Sequence, residues 1–71
     1  MITLIINGDE KRTKAGQNLA ELLESMEINP TKVAVERNRE IVPKSTYHDV
    51  MIEEGDQLEI VHFIGGGLLG R

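Results

Sequence analysis

Gln57-Leu58-Glu59-Ile60-Val61-His62-Phe63-Ile64, running straight into Gly65-Gly66-Gly67, is the stretch that sets the plan of the chain. Its alternation places Leu58 and Ile60 on one face of a β-strand and Glu59, Val61 and Phe63 on the other. Three glycines after a strand form an extension without side chains, free to bend and to enter a slot too narrow for any Cβ. Such an end reads as something another protein handles. The expected division is therefore a folded domain over residues 1–64 and a flexible glycine-rich tail over residues 65–71.

Working back from that strand, Met1 to Ile6 is apolar and rich in β-branched residues, and Asn7-Gly8 after it is a strong hairpin signal because both positions tolerate positive φ. The returning segment, Glu10-Lys11-Arg12-Thr13, is polar enough to be a sheet edge, where charge blocks further pairing. Asn18 can cap a helix with Glu21 reaching back to it, and Leu19, Leu22, Leu23 and Met26 then share one helical face that belongs to the core. The spacing predicts a helix from about Asn18 to Met26. Pro30 forbids its continuation, and Val33-Ala34-Val35-Glu36 resumes as a strand. Arg37-Asn38-Arg39 turns the chain into Glu40-Ile41-Val42, which Pro43 keeps short and peripheral. Ser45 to Val50 has room for one helical turn, Met51-Ile52 is expected to pack inward, and Glu53-Glu54-Gly55-Asp56 reads as a solvated turn.

Hairpin, helix, two or three short strands and a last strand make an α+β fold, a mixed sheet of four to five strands crossed by one helix. This is the element order of the β-grasp, or ubiquitin-like, fold. The first and last strands are then adjacent and parallel, joined by the helix-containing crossover such pairing needs. Ile2, Leu4, Ile6, Val33, Val35, Leu58 and Ile60 face the helix, whereas Thr3, Ile5, Glu59, Val61 and Phe63 lie on the far side. Ile5, Val61 and Phe63 are candidates for an apolar docking patch, with Gly65 beside it.

Composition narrows the classes of function. Seventy-one residues with 39% apolar content and two aromatics leave little room for a deep catalytic cleft, so a module is favoured over an enzyme. There is no cysteine, hence no disulfide and no side-chain thiol chemistry. His48 and His62 have no ligand partner at useful spacing, and Asp49, Glu53, Glu54 and Asp56 lack the alternation of a calcium loop, so no metal and no cofactor is expected. A phosphate-binding role for the glycines would need a following Lys-Ser/Thr and a helix, which are missing; a plain linker is the simpler alternative. A formal charge of −4 weighs against nucleic acid and favours partners with basic surfaces. Neither a signal peptide nor a run long enough to span a membrane is present, so the expectation is a cytoplasmic protein that is monomeric when free.

Val33-Ala34-Val35-Glu36, Asn38, Ile41-Val42-Pro43, Tyr47, Gly55-Asp56, Leu58-Glu59-Ile60-Val61 and Gly65-Gly66-Gly67, in that order and spacing, resemble the ThiS family of sulfur carriers in thiamine biosynthesis. The resemblance covers Met1 to Gly67. It implies a protein co-substrate: a ThiF-like adenylating enzyme attaches AMP to a terminal glycine carboxylate, sulfur from a cysteine desulfurase displaces it, and thiazole synthase ThiG takes the sulfur from the resulting thiocarboxylate. Carried onto this chain, Gly67 is the reacting residue and Gly66 keeps its approach unobstructed. Related carriers for molybdopterin synthesis and tRNA thiolation share the fold and the glycine end, as do ubiquitin-like protein modifiers. The chain departs from the family pattern by continuing past Gly67 with Leu68-Leu69-Gly70-Arg71. While the Gly67-Leu68 bond is intact, Gly67 has an amide and no carboxylate to activate, so either Leu68 to Arg71 are removed, or the chain as written is inactive, or these four residues are not part of the natural end.

Overall fold

The computed structural model describes residues 1–64 and 67–68, with side chains through residue 62. Strands β1 (Ile2–Ile6) and β2 (Asp9–Thr13) form the expected hairpin, closed by Asn7 at φ 51° and Gly8 at φ 86°. Both turn residues are left-handed, the geometry that matches the twist of the flanking strands. Helix α1 (Leu19–Ser25) comes next, then β3 (Val33–Arg37), β4 (Glu40–Val42) and β5 (Gln57–Ile64). Single 3-10 turns cover Pro30–Lys32 and Lys44–Thr46. The sheet order is β2-β1-β5-β3-β4, with β2 and β4 at the edges, as the charge of one and the proline after the other imply. Gly67–Leu68 forms a short β6 opposite Phe63 and Ile64.

β1 and β5 are adjacent and parallel at the centre of the sheet, with Ile5 level with Gln57 and Ile6 with Leu58. The pairing is short because β1 turns away at Asn7, and the Asn7 side chain continues it. Its carbonyl Oδ1 accepts from the Ile60 amide at 2.7 Å and its Nδ2 donates to the Ile60 carbonyl at 3.2 Å. The carboxamide thus replaces the peptide group that the next strand residue would have offered, satisfying two backbone groups of β5.

Asn18 caps α1 as expected. Its Oδ1 accepts from the Glu21 amide at 2.8 Å, while Glu21 accepts from the Asn18 amide at 2.9 Å. Leu19, Ala20, Leu22 and Leu23 are buried against Leu4, Ile6, Val33, Val35, Tyr47, Ile52, Leu58 and Ile60, and Ile2 is partly buried beside them. The core is therefore the layer between helix and sheet that the alternation of the strands predicts. Met51 is a correction: it is 48% exposed and only Ile52 turns inward, because Met51 forms an isolated antiparallel bridge with Asn18 at the rim. Among the described residues no helix is long and apolar enough to cross a membrane.

The helix ends in a Schellman arrangement, with the Glu27 amide donating to the Glu24 carbonyl and the Ile28 amide to that of Leu23, both at 2.9 Å. Glu27 sits at φ 62°, a position where glycine carries no steric cost. Glu27→Gly is accordingly expected to stabilise the protein by about 0.5–1 kcal/mol, read as a higher urea midpoint at unchanged slope.

Candidate docking face and carrier end

Loops on both sides of β5 fix how it is presented. In the Glu53–Asp56 turn, Glu53, Glu54 and Gly55 are exposed as its charge implies, but Asp56 turns inward and is only 5% exposed. Its Oδ2 accepts from the Arg37 Nε at 2.9 Å and from the Glu53 amide at 2.8 Å, and its Oδ1 from the Asn38 Nδ2 at 3.2 Å. Burial pushes the carboxyl up, but the Glu53 amide, the Asn38 amide and the Arg37 guanidinium outweigh it and hold Asp56 below the ordinary aspartate range. Asn38, at φ 51°, also accepts from the Gln57 amide at 2.9 Å, so the β3–β4 turn is tied to the start of β5. Next to this cluster the Ile5 amide donates to the Asp56 carbonyl, the Gly55 amide to the Thr3 carbonyl, and the Thr3 amide to Glu54 Oε1, each within 2.8–2.9 Å. The acidic turn is thereby the clip that holds β1, β3 and β5 in register.

Tyr47 braces the opposite side of the core. It is buried at 2% exposure and its hydroxyl donates to the Val33 carbonyl at 3.1 Å, while burial pushes its phenol above the ordinary value. His48 and His62 are both exposed, His48 in the loop after the second 3-10 turn and His62 on β5. Among the described residues no group of three His, Asp or Glu side chains is placed to hold a metal ion.

The outer face of the sheet carries the candidate docking residues, and the register separates two of them. Val61 is 38% exposed, whereas Ile5 is half-buried and level with Gln57, four residues, or roughly 13 Å, short of Val61 along β5. No residue of β1 stands beside Val61, because β1 ends at Ile6. The neighbours of Val61 come from the other side instead: Ala34 lies directly opposite on β3, and Ile41 on β4, 76% exposed, flanks Glu36. Ala34, Glu36, Ile41, Glu59 and Val61 line an open groove of about 460 Å³. Ile41, Ala34 and the two glutamates were missed by sequence reasoning; once β4 is paired antiparallel with β3, alternation alone puts Ile41 on this face. The side chain of Phe63, together with Gly65 and Gly66, lies outside the described residues. Of the tail over residues 65–71, only Gly67 and Leu68 are described.

Residues 4–67 match the ThiS family, the last matched residue being Gly67. The chain belongs to the ThiS family. It is 45% identical over 65 residues to the sulfur carrier protein ThiS of Bacillus subtilis, covering 90% of this chain and 98% of that protein. Thiazole synthase of Paramagnetospirillum magneticum is 53% identical over 64 residues, 90% of this chain but 20% of the relative, so the chain spans about a fifth of the length of that protein. The crystal structure of the thiamine biosynthesis protein ThiS from Geobacter metallireducens superposes with a TM-score of 0.79 at 28% identity, covering 93% of this chain and all of the other. These likenesses agree with the β-grasp architecture described above.

The Asp56 cluster makes a pH prediction. Because the folded carboxyl is held below its unfolded value, the stability it contributes is present above the unfolded pKa and is lost as pH falls through the folded one. Asp56→Asn should cost about 2–3 kcal/mol near neutral pH, and the gap to the unsubstituted protein should close progressively below about pH 5, as read by urea unfolding across that range.

Proposed function

We propose that this chain is a sulfur carrier of thiamine biosynthesis, a co-substrate and not an enzyme, which carries sulfur as a thiocarboxylate on Gly67. The observation that carries the reading is where the family match stops: it runs through the domain and β5 and ends on the glycine that the sequence singles out. A ThiS-like segment within relatives named thiazole synthase supports thiazole synthase as the acceptor of the sulfur.

Adenylation by a ThiF-like enzyme uses a carboxylate oxygen of Gly67 to attack the α-phosphorus of ATP, and pyrophosphate leaves. The free carboxylate is a poor electrophile, whereas the acyl adenylate has AMP as a good leaving group. The outer sulfur of a persulfide supplied through a cysteine desulfurase then adds to the acyl carbon and AMP departs; a thiol breaks the S–S bond of the resulting acyl persulfide, forming a disulfide with the inner sulfur and leaving the thiocarboxylate. The chain has no cysteine, so this carboxyl end is where it offers sulfur a covalent place. Gly65, Gly66 and Gly67 present no Cβ to the channel of the activating enzyme, which is the steric condition for reaching a buried nucleotide. Ile5, Val61 and Phe63 are assigned to docking.

This reading requires cleavage of the Gly67-Leu68 bond, since an amide carbonyl cannot be adenylated at the oxygen in this way. A chain cut after Gly67 should support ATP–pyrophosphate exchange with a ThiF-like enzyme, and the 71-residue chain should not. In the cut form Gly67→Ala should slow exchange sharply with little change in docking, because the added methyl group enters the catalytic slot and not the domain surface. Equal exchange by the uncut chain would move the reactive carboxylate away from Gly67.

A further inference from the structure

On the outer face, Glu36 of β3 and Glu59 of β5 are directly opposite one another in the antiparallel ladder. Side chains so placed have Cβ atoms about 4.5–5.5 Å apart, and like charges there are destabilising. Both are exposed, and neither forms an ion pair with a described residue. The neighbouring cation is committed elsewhere: Arg37 turns to the other face, where its guanidinium is held by Asp56 at 2.9 Å and lies 3.9 Å from Glu53. Apolar groups bracket the pair, with Ile41 next to Glu36 across β4 and the Ala34–Val61 pair one step along the same face. The groove they line is thus apolar at its sides and doubly acidic at its centre.

We propose that Glu36 and Glu59 form a seat for an arginine or lysine of the partner protein, with an apolar side chain of that partner packed beside it on Ile41, Ala34 and Val61. The occupant is set by charge complementarity. A cation between the two carboxylates removes their repulsion as it docks, so the pair that destabilises the free sheet favours the complex, and a second copy of this chain, presenting the same acids, is disfavoured. The proposal rests on the carrier reading for its probe, a ThiF-like adenylating enzyme, and adds that the recognition is carried by these two acids.

The test measures two quantities on Glu36→Gln, Glu59→Gln and the double variant, each cut after Gly67. Urea unfolding at low salt should place the double variant at a higher midpoint than the unsubstituted chain, with the difference shrinking as salt is added. Association with the adenylating enzyme, followed by stopped flow, should be slower by roughly tenfold at low salt, with a shallower salt dependence. Val61→Ala, measured alongside, should raise the dissociation rate. If neutralising both acids leaves association and its salt dependence unchanged while Val61→Ala weakens the complex, the cation seat is wrong and the apolar docking face stands. Should neither set of variants alter capture while pyrophosphate exchange persists, docking occurs elsewhere and both fail together. A double variant no more stable than its parent would remove the repulsion on which the proposal is built.

Discussion

The parallel pairing of β1 with β5 is the constraint on which the rest of the molecule depends. Parallel neighbours cannot be joined by a tight turn, so fifty residues lie between Ile6 and Gln57, and they must cross one face of the sheet as helix and return as β3 and β4. The direct register is two residue pairs long, too short to define itself. Asn7 at one end and the Glu53–Asp56 turn at the other complete it with side-chain and loop hydrogen bonds. With the helix committed to one face, the other face of β5 and β3 remains open, and the strand that carries that face is also the one that leads into the glycines.

Division of labour between the two faces accounts for how a small chain can be both stable and available to partners. Inside, Leu4, Ile6, Val33, Val35, Leu58 and Ile60 pack an apolar layer against the helix, and the buried carboxylate is matched by a guanidinium, an amide side chain and a backbone amide. A buried charge left without such partners costs several kcal/mol, which is why Asp56 and Arg37 act as one unit and Arg37 cannot serve the outer acids. Outside, the exposed Ile41 and Val61 and the opposed glutamates are features that do nothing for the free domain. An apolar groove with an unrelieved charge at its centre is suited to recognition.

Much of this plan was legible in the chain. Asn7-Gly8 specifies a left-handed two-residue turn through its own backbone preferences; Asn18 and Glu21 specify a helix start through reciprocal hydrogen bonds; the alternation over Leu58 to Val61 needs no tertiary information to assign faces. What was not legible depends on contacts distant in sequence. Asp56 looks like one more acid in an acidic turn until β3 brings Arg37, nineteen positions away, alongside it. Met51 looks like half of an apolar pair, and its outward turn comes from a bridge to Asn18. The helix stops without a glycine because Glu27 itself adopts the left-handed conformation. The docking face was read along one strand, from Val61 to Phe63, and across to Ile5; the register instead gathers Val61 with Ala34 and Ile41, a grouping that periodicity within single strands cannot supply.

The glycine end links the fold to the chemistry, since β5 delivers the chain to Gly67 and the reacting atom is proposed to be a carboxylate there. The most direct measurement is the intact mass of the protein purified without reductant or acid from cells starved of thiamine. The account predicts a population ending at Gly67, part of it heavier by the difference between sulfur and oxygen. Protein in which the Gly67-Leu68 bond is whole in every molecule, or in which Gly67 is found joined to lysines of other proteins, would contradict it.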